Sequence, residues 1–504
     1  MLPLLIIITT ETERLRSVDS RRAFTLSPFV PCTCDVRVLV SAAHLKGRSG
    51  RMRATVSKSM GILVLVIGLA IAAAVGGATS PVAHAVLPAL PNTVQQWNKI
   101  AEDTVVASGA FQGEGEVYMS YSATAVYDAG DAIEGGYEPY GPAISAPAGA
   151  SVDCAVVEAA YRTLVHYFSS NATLVGILNG HYSDALSNLS GCTADGGKGT
   201  SVGLAAANNI IALRAGDGRL TPIGTTSPFE TKDPGPGVWR LTPPFAVAQT
   251  PWLGSVRPFL LKSPGQFQTE PPVPLTSQAW VRAFDEVKTW GRATNSPKTT
   301  EQTAIARFYT ANVIRQFNIA ARDLATAHAL SLLQTARLLA MVNTASADAL
   351  MSVLNSKYRF LFWRPVTAID PTAVTADGYG PVPGFDDGNP RTAEEVGWRP
   401  LVTTPNHPEY PGAHGTNTSA VAEVFSEFLG TDDIDVDIHG FDAAGPPGNL
   451  NAVRHYDTAD ELRTEVVNAR LWGGIHYRFS SEAGVQLGYK VAHYGLNHAF
   501  RAVG

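Results

Sequence analysis

Apolar residues recur at three- and four-residue spacing along most of this chain, and this periodicity is what most constrains its fold. Alternating patterns typical of strands are sparse, and the sequence has no clear internal repeat. The spacing predicts helices over residues 92–108, 151–169, 201–214, 300–325, 326–342, 345–363, 415–429, 457–472 and 481–500. We therefore expect an all-α protein.

Three segments rich in Pro and Gly interrupt the helical pattern, at residues 135–150, 222–274 and 370–408. The second contains aromatic residues at intervals, so we expect it to wrap the helical body and pack those rings against it. The third leads directly into His407 and is expected to line the mouth of a site.

The composition favours a large folded body that does not bind nucleic acid. Apolar residues make up 45% of the chain and charged residues only 16%, which indicates a large buried core. The net charge is −6, although residues 1–60 hold ten Lys or Arg and only four Asp or Glu. The rest of the chain is therefore strongly acidic, whereas nucleic-acid binding requires a basic face.

The N-terminal part resembles a secretory signal. Residues 61–75 form an uncharged apolar run that follows basic residues and precedes Ala83-His84-Ala85. This layout predicts cleavage near Ala85 and a secreted or extracytoplasmic protein. A membrane anchor is the alternative if residues 61–75 are retained, but fifteen residues fall short of the roughly 20 that span a bilayer. Because the preceding segment is long for a signal, Met52 and Met60 are alternative start sites.

Two cysteines, Cys154 and Cys192, follow the predicted cleavage site. An even pair in an exported protein indicates a disulfide, with two buried thiols as the alternative. The cysteine spacing does not suggest a zinc or iron–sulfur site. Glycosylation sequons begin at Asn171, Asn188 and Asn417, and they matter only in a eukaryotic source.

Three short segments combine basic side chains, histidines and glycines. They are Lys357 to Pro365, His407 to His414, and Arg470 to His476. Their three fixed cations match the oxygens of a phosphate-like anion, and their imidazoles can act as ligand, nucleophile or acid–base. Together they predict a site for chemistry on a tetrahedral oxyanion.

The spacing within these segments supports that interpretation. Lys357 and Arg364 are seven residues apart, so on one helix both would share a face, and the aromatic residues between them indicate burial. The alternative is a solvated basic face. Arg470 and His476 flank Gly473-Gly474, where a bend could aim both side chains at one anion. The alternative there is a close helix–helix contact through the glycines.

Two further histidines belong to the middle segment. His414 opens the predicted helix 415–429, whose N-terminus attracts anions, so we predict that it exchanges a proton with a bound oxyanion. The alternative is a capping or core histidine. His407 lies seven residues earlier and is either a second acid–base or part of the pocket wall.

The ordered segments resemble the signature of the type 2 phosphatidic acid phosphatase and haloperoxidase superfamily. Lys357…Arg364-Pro365 and Arg470…Gly474-Ile475-His476 match its first and third blocks, and Pro411-Gly412-Ala413-His414 matches the middle block in its Pro and His. The superfamily has Ser-Gly where this chain has Gly412-Ala413, and many members have Asp at the position of Ser480. Flanking segments are similar to the vanadium-dependent haloperoxidase-like branch, over residues 95–500 and most strongly 235–500.

The resemblance implies a helical bundle of the acid phosphatase and vanadium-dependent haloperoxidase type, wrapped by long Pro-rich loops. It predicts an N-terminal extension with signal peptide at residues 1–85, an N-terminal helical half at 86–290, and a catalytic helical bundle at 291–504.

The resemblance also assigns roles to individual residues. Lys357, Arg364 and Arg470 would hold the oxygens of vanadate or phosphate, with Gly412 and Ala413 lining the same cofactor site. The missing serine hydroxyl at Gly412 removes one donor, which commonly costs about 3 kcal/mol of transition-state stabilisation.

The histidines carry the chemistry in this scheme. His476 would be the axial vanadium ligand, or the nucleophile that becomes phosphohistidine, and His414 the acid–base. His407 occupies a position that is often His in bromide-oxidising members. Ser480 in place of Asp removes one means of orienting His476.

The first functional hypothesis is therefore a vanadate-dependent haloperoxidase that oxidises halide, bromide favoured, with hydrogen peroxide and acts on an organic acceptor. The alternative is an acid phosphatase acting on a soluble phosphomonoester without vanadate. A third is a non-catalytic oxyanion-binding relative. We expect no nucleic-acid partner and no stable membrane insertion after signal cleavage, and a homodimer is a candidate assembly.

Overall fold

The computed structural model describes residues 92–373, 386–440 and 452–503, and it is mostly helical, as predicted. The predicted signal peptide and its cleavage site lie outside the described residues, so export stays a prediction. The helices are, in chain order, α1 (Thr93–Ala107), α2 (Gln112–Glu134), α3 (Val152–Tyr167), α4 (Ala172–Asn188), α5 (Ser190–Ala194), α6 (Lys198–Leu213), α7 (Gln278–Trp290), α8 (Thr300–Phe308), α9 (Val313–Ala327), α10 (Leu332–Phe360), α11 (Pro365–Ile369), α12 (Ala413–Leu429), α13 (Ala459–Trp472) and α14 (Arg478–Leu496).

Helix α10 is the centre of the fold. Ser331 and Gln334 form a capping box at its start, each side chain bonding the other residue's backbone N–H. The helix packs against α2, α12 and α14. It is long and apolar enough to cross a membrane, but 94% of its most apolar window is buried inside the protein. Burial on nearly all sides identifies it as a core helix.

The predicted helix boundaries around α10 need correction. Residues 326–342 and 345–363 belong largely to one helix rather than two, and it ends at Phe360 because Leu361 adopts a left-handed conformation with φ 53°. The predicted helix 300–325 is instead split into α8 and α9. The Asn312 side chain accepts from the Ile314 backbone and so starts a new helix.

A two-stranded antiparallel sheet was not predicted. Strand β1 (Asp433–His439) pairs with β2 (Val453–Thr458), with Val436 opposite Tyr456. Elsewhere the predicted disulfide is confirmed: Cys154 is bonded to Cys192, which ties α3 to α5.

The Pro-rich segment lies against α10 through one buried carboxylate. Asp348 accepts backbone N–H groups from Phe259, Leu260 and Leu261 at 2.6, 2.7 and 2.9 Å. Burial raises the pKa of Asp348 to about 6, so it is largely ionised at neutral pH. Trp252 of the same segment is also buried. This contact holds the segment on the helix that carries Lys357.

We predict that Asp348→Ala destabilises the protein. Three backbone donors would lose their acceptor, and the free energy of unfolding should fall by about 3 kcal/mol or more. The free energy of unfolding of Asp348→Asn should lie between those of Asp348→Ala and the wild type, because one amide group cannot accept all three hydrogen bonds. Urea unfolding at pH 8 measures the effect. Asp323→Asn, at an exposed position, is the control. Wild-type stability of Asp348→Ala would contradict this account.

Candidate active site

Arg364 binds the three predicted segments together. Its Nε donates to the His407 carbonyl oxygen at 3.1 Å, and its Nη1 donates to the Ile475 carbonyl oxygen at 2.7 Å. Nη1 also lies 3.1 Å from Nε2 of His476. The guanidinium is fully buried, and this burial lowers its pKa to about 10. Arg364 therefore fixes both loops around one point.

The predicted shared helix face of Lys357 and Arg364 is wrong. Lys357 lies on α10, but the left-handed Leu361 ends that helix, and Arg364 is the N-cap of α11. The two side chains nevertheless reach the same loop. The Lys357 Nζ donates to the carbonyl oxygens of Pro408 and Glu409 at 2.7 and 2.8 Å. Burial, with Arg364 nearby, holds the pKa of Lys357 well below its usual range.

Glu409 orients His476, a role that sequence reasoning missed. His476 Nδ1 lies 2.8 Å from Glu409 Oε1, which also accepts the Tyr477 backbone N–H at 3.1 Å. Because a guanidinium can only donate, His476 Nε2 must accept from Arg364. The proton of neutral His476 is therefore on Nδ1, and Nε2 presents a lone pair. Burial raises the pKa of Glu409 to about 7 and lowers that of His476 well below its usual range.

Glu409 compensates for the carboxylate that the sequence lacks at Ser480. The Ser480 hydroxyl donates at 3.4 Å to the Glu409 carbonyl oxygen instead. The signal for this role was an acidic residue between prolines in the middle segment, where a buried carboxylate needs partners.

Arg470 and His476 are aimed by the predicted bend. Helix α13 ends at Trp472, and Gly474 has φ +76°, while a Cβ there would lie 2.3 Å from the Gly291 carbonyl oxygen. The bend and the close glycine contact are thus both present. Arg470 Nη1 donates to the Tyr309 carbonyl oxygen at 2.6 Å, and its buried Nε has no partner among the described residues. Burial lowers the pKa of Arg470 to about 9.

His414 lies in the first turn of α12, as predicted, with Gly412 as the N-cap. No side chain caps this helix, so its first N–H groups are available to an anion. The Nε2 atom of His414 is buried without a partner among the described residues. Burial, with Arg470 nearby, lowers the pKa of His414 well below its usual range, so the ring is neutral at neutral pH.

Packing explains the absence of serine at position 412. A Cβ on Gly412 would lie 3.0 Å from Ser481 Cα and 3.3 Å from the Ser480 carbonyl oxygen. Gly412 also donates its N–H to that carbonyl at 2.9 Å. Helix α14 therefore approaches the N-cap too closely for an unstrained side chain, and the adjacent Ala413 is buried.

A cavity of about 420 Å³ opens onto these residues. Its polar lining includes His407, His414, Arg470 and Asn417, and its apolar walls include Phe111, Phe245, Val313, Leu350 and Leu354. The predicted segment 370–408 contributes residues 402, 403 and 405–407 to the lining. The cavity has room for a small apolar molecule beside the polar groups.

The donor set fits a bound vanadate or phosphate. Arg364 and Arg470 are buried guanidinium groups, and Lys357 and Glu409 are buried in the same electrostatic environment, so positive charge is in excess among these residues. Buried charge of this kind requires an anionic partner. The unpartnered nitrogens of Arg470 and His414 lie at the same cavity and supply contacts for one.

His407 lies in the wall between Arg364 and the cavity. Its Nδ1 is 3.1 Å from Arg364 Nη2 and 3.1 Å from the Pro408 carbonyl oxygen. Burial, with Lys357 and Arg364 nearby, lowers its pKa well below the usual range. The structure therefore brings all six predicted charged or histidine residues to one place, while their roles remain predictions.

We predict that Glu409 fixes the tautomer of His476. Glu409→Gln keeps an acceptor for Nδ1–H and should retain the Nδ1-protonated form. Glu409→Leu leaves two buried N–H groups without an acceptor, so that Arg364 alone would still favour the Nδ1-protonated form; the share of the other tautomer should rise, and the change should cost about 1–3 kcal/mol of stability. Nitrogen-15 NMR of the imidazole and urea unfolding measure the two effects. An unchanged His476 spectrum in Glu409→Leu would refute this assignment.

We also predict that Gly412→Ser strains the helix contact rather than improving the site. The new Cβ must displace the Ser480–Ser481 backbone, with a cost of about 1–3 kcal/mol. Gly176→Ser is the matched control, because a Cβ at Gly176 meets no atom within 4 Å. Thermal unfolding compares the two. Equal melting temperatures for both variants would disprove the crowding at position 412.

Comparisons with known proteins found similar sequences and folds. Residues 337–504 match the family model of the VCPO second helical-bundle domain. The vanadium chloroperoxidase of Curvularia inaequalis is 28% identical over an alignment that covers 29% of this chain and 28% of that protein. The chain thus matches less than a third of the length of this relative.

The fold is similar to solved structures over a much larger part of the chain. A bacterial vanadium-dependent iodoperoxidase superposes with a TM-score of 0.66 at 21% identity, covering 84% of this chain and 99% of that one. A bacterial vanadium-dependent chloroperoxidase in its holo form gives 0.58 at 15% identity, covering 79% and 92%. The chain is therefore vanadium haloperoxidase-like in fold, and its residues 337–504 match the VCPO second helical-bundle domain.

Proposed function

We propose that this protein is a vanadate-dependent haloperoxidase that oxidises halide, with bromide preferred, using hydrogen peroxide. The observation that carries the proposal is the arrangement of His476, whose Nε2 lone pair faces buried Arg364 while Glu409 holds Nδ1. Relatedness to vanadium haloperoxidases supports the reaction class. The halide and the organic acceptor belong to the proposal alone.

Lys357, Arg364 and Arg470 would hold vanadate by charge and hydrogen bonds, and the free N–H groups at the start of α12 would add to them. Arg364 and Lys357 now bond to carbonyl oxygens of the two loops, so these contacts would be shared with the anion. Vanadate, when bound, activates hydrogen peroxide as an oxidant of halide. His476 Nε2 would supply the ligand lone pair in place of its bond to Arg364, and Glu409 would keep the proton on Nδ1.

His414 is suited to move a proton at Nε2. The ring is neutral because burial and Arg470 disfavour the imidazolium, so it can accept a proton from a peroxide molecule in the cavity. A bound anion would raise the pKa of His414 and favour the protonated state that returns the proton. Nε2 has no partner among the described residues, which leaves this atom available for the exchange.

The residues of the cavity wall would affect which halide and which organic acceptor react. His407 lies beside Arg364 and lines the cavity, and we propose that it contributes to the preference for bromide. The apolar walls around Phe111 and Phe245 suit a small organic acceptor that reacts with the oxidised halide.

The arrangement of His476 also supports the alternative function, an acid phosphatase. A lone pair on Nε2 with the proton on Nδ1 also suits attack on phosphorus, with His414 protonating the leaving oxygen. A phosphomonoester with an apolar alcohol would fit the cavity. A protein that binds the oxyanion without turnover is the third possibility, since Gly412 provides no hydroxyl donor.

We predict vanadate-dependent bromination that requires His476. Protein loaded with orthovanadate should brominate an organic acceptor in the presence of bromide and peroxide, and His476→Ala should lose the activity at least 100-fold because the ligand is removed. The same preparation without vanadate is tested for hydrolysis of p-nitrophenyl phosphate.

The outcomes separate the three functions. Bromination that needs both vanadate and His476 supports the haloperoxidase. Phosphate release that needs His476, without bromination, would replace that proposal with the phosphatase. Vanadate binding with neither activity would leave the oxyanion-binding relative. His498→Ala is the control, because His498 is exposed, follows the end of α14 and contacts Tyr494.

A further inference from the structure

Asn417 is a cavity residue to which the motif comparison gives no role. It lies on α12 three residues after His414, so the two side chains share one face of the helix. Both line the 420 Å³ cavity. Asn417 is only 1% exposed, so its sequon is not open to glycosylation in the folded protein. The burial of this polar side chain therefore needs an explanation other than glycosylation.

The amide of Asn417 is anchored at one end. Its Oδ1 accepts a hydrogen bond from the Ser346 hydroxyl of α10. The Ser346 hydroxyl has a single hydrogen, and this goes to Asn417. Burial raises the pKa of the Glu116 carboxyl on α2 to about 8, so at neutral pH this carboxyl is protonated and can donate to the Ser346 oxygen. These contacts fix which way the amide points, and they leave Nδ2 as the end available to a molecule in the cavity.

The Nδ2 group of Asn417 is buried and has no partner among the described residues. Two other buried side-chain nitrogens share this condition at the same cavity, namely Nε of Arg470 and Nε2 of His414. A buried N–H without an acceptor costs stability, so the two such donors at this cavity, Asn417 Nδ2 and Arg470 Nε, indicate a ligand that accepts hydrogen bonds. The positive charge of the surrounding residues makes that ligand an anion.

We propose that Asn417 is a further anion-binding residue of this site, donating its Nδ2–H to the anion held beside His414 and Arg470. This donor offsets the hydroxyl that Gly412 does not supply. Asn417 lies on the cavity side, more than one helical turn further along α12. The proposal rests on the proposed function. The anion is either the oxyanion itself or the halide, and the experiment distinguishes them.

The test compares the wild type with two variants of Asn417. Asn417→Leu has a similar volume but no donor. Asn417→Asp keeps the acceptor for Ser346 while replacing the donor with a carboxylate. Calorimetric titration with orthovanadate gives the affinity for the oxyanion, and the KM for bromide at saturating vanadate gives the affinity for the halide. Circular dichroism and thermal unfolding check that each variant is folded.

We expect Asn417→Leu to weaken one of the two affinities by about 10- to 100-fold, as for a lost bond to a charged group. Asn417→Asp should weaken it further, because its charge repels the anion. A loss of vanadate affinity assigns the donor to the oxyanion, whereas a raised KM for bromide alone assigns it to the halide. Ser419→Ala, a buried position on α12 that does not line the cavity, should change neither.

Two results would overturn the proposal, and they differ from each other. If wild type binds vanadate and both folded variants match it in vanadate affinity and in KM for bromide, Asn417 is not an anion donor while the proposed function stands. If wild type does not bind vanadate in the titration, both the proposed function and this role of Asn417 fail. Should Asn417→Leu not fold, the isosteric Asn417→Asp decides between these results.

Discussion

The burial of Arg364 is the constraint on which the site depends. A guanidinium in the interior must bond all of its donors, and here the acceptors are main-chain carbonyls of His407 and Ile475 together with the ring of His476. These acceptors come from two loops far apart in sequence. One buried cation therefore fixes the relative positions of the three segments, so that the geometry of the site and the stability of this region have the same cause.

Close packing of α12 against α14 sets the second constraint. A Cβ at Gly484 would lie 2.3 Å from the Gly412 carbonyl oxygen, so the two backbones are in close contact. The start of α12 is held near Ser480 and Ser481, where Gly412 donates its N–H to the Ser480 carbonyl oxygen. At position 412 this chain has a close helix contact where the superfamily pattern has a serine hydroxyl. The hydrogen-bond donors to the anion must therefore come from other residues.

The sequence predicted the helical class and the residues of the site because both depend on local patterns. Charged and histidine residues at fixed spacing are visible without a structure, whereas Glu409 became recognisable only when His476, 67 residues away, was placed beside it. The left-handed Leu361 was hidden too, since leucine gives no signal for that conformation. Helix α2 was missed because burial on nearly all sides removes the amphipathic period, yet the alternating Ile434, Val436 and Ile438 of β1 were a readable strand signal.

Lys357 links the cationic part of the site to its carboxylate. Its Nζ bonds the main chain at Pro408 and Glu409, and Glu409 in turn holds Nδ1 of His476. A carboxylate at position 480 would be held by its own helix, but one at position 409 depends on a loop and must be fixed by another group. Lys357 provides that fixation from the rigid helix α10. The same lysine thus supplies positive charge for an anion and keeps the histidine in the tautomer that can bind it, which makes the two properties inseparable in this chain.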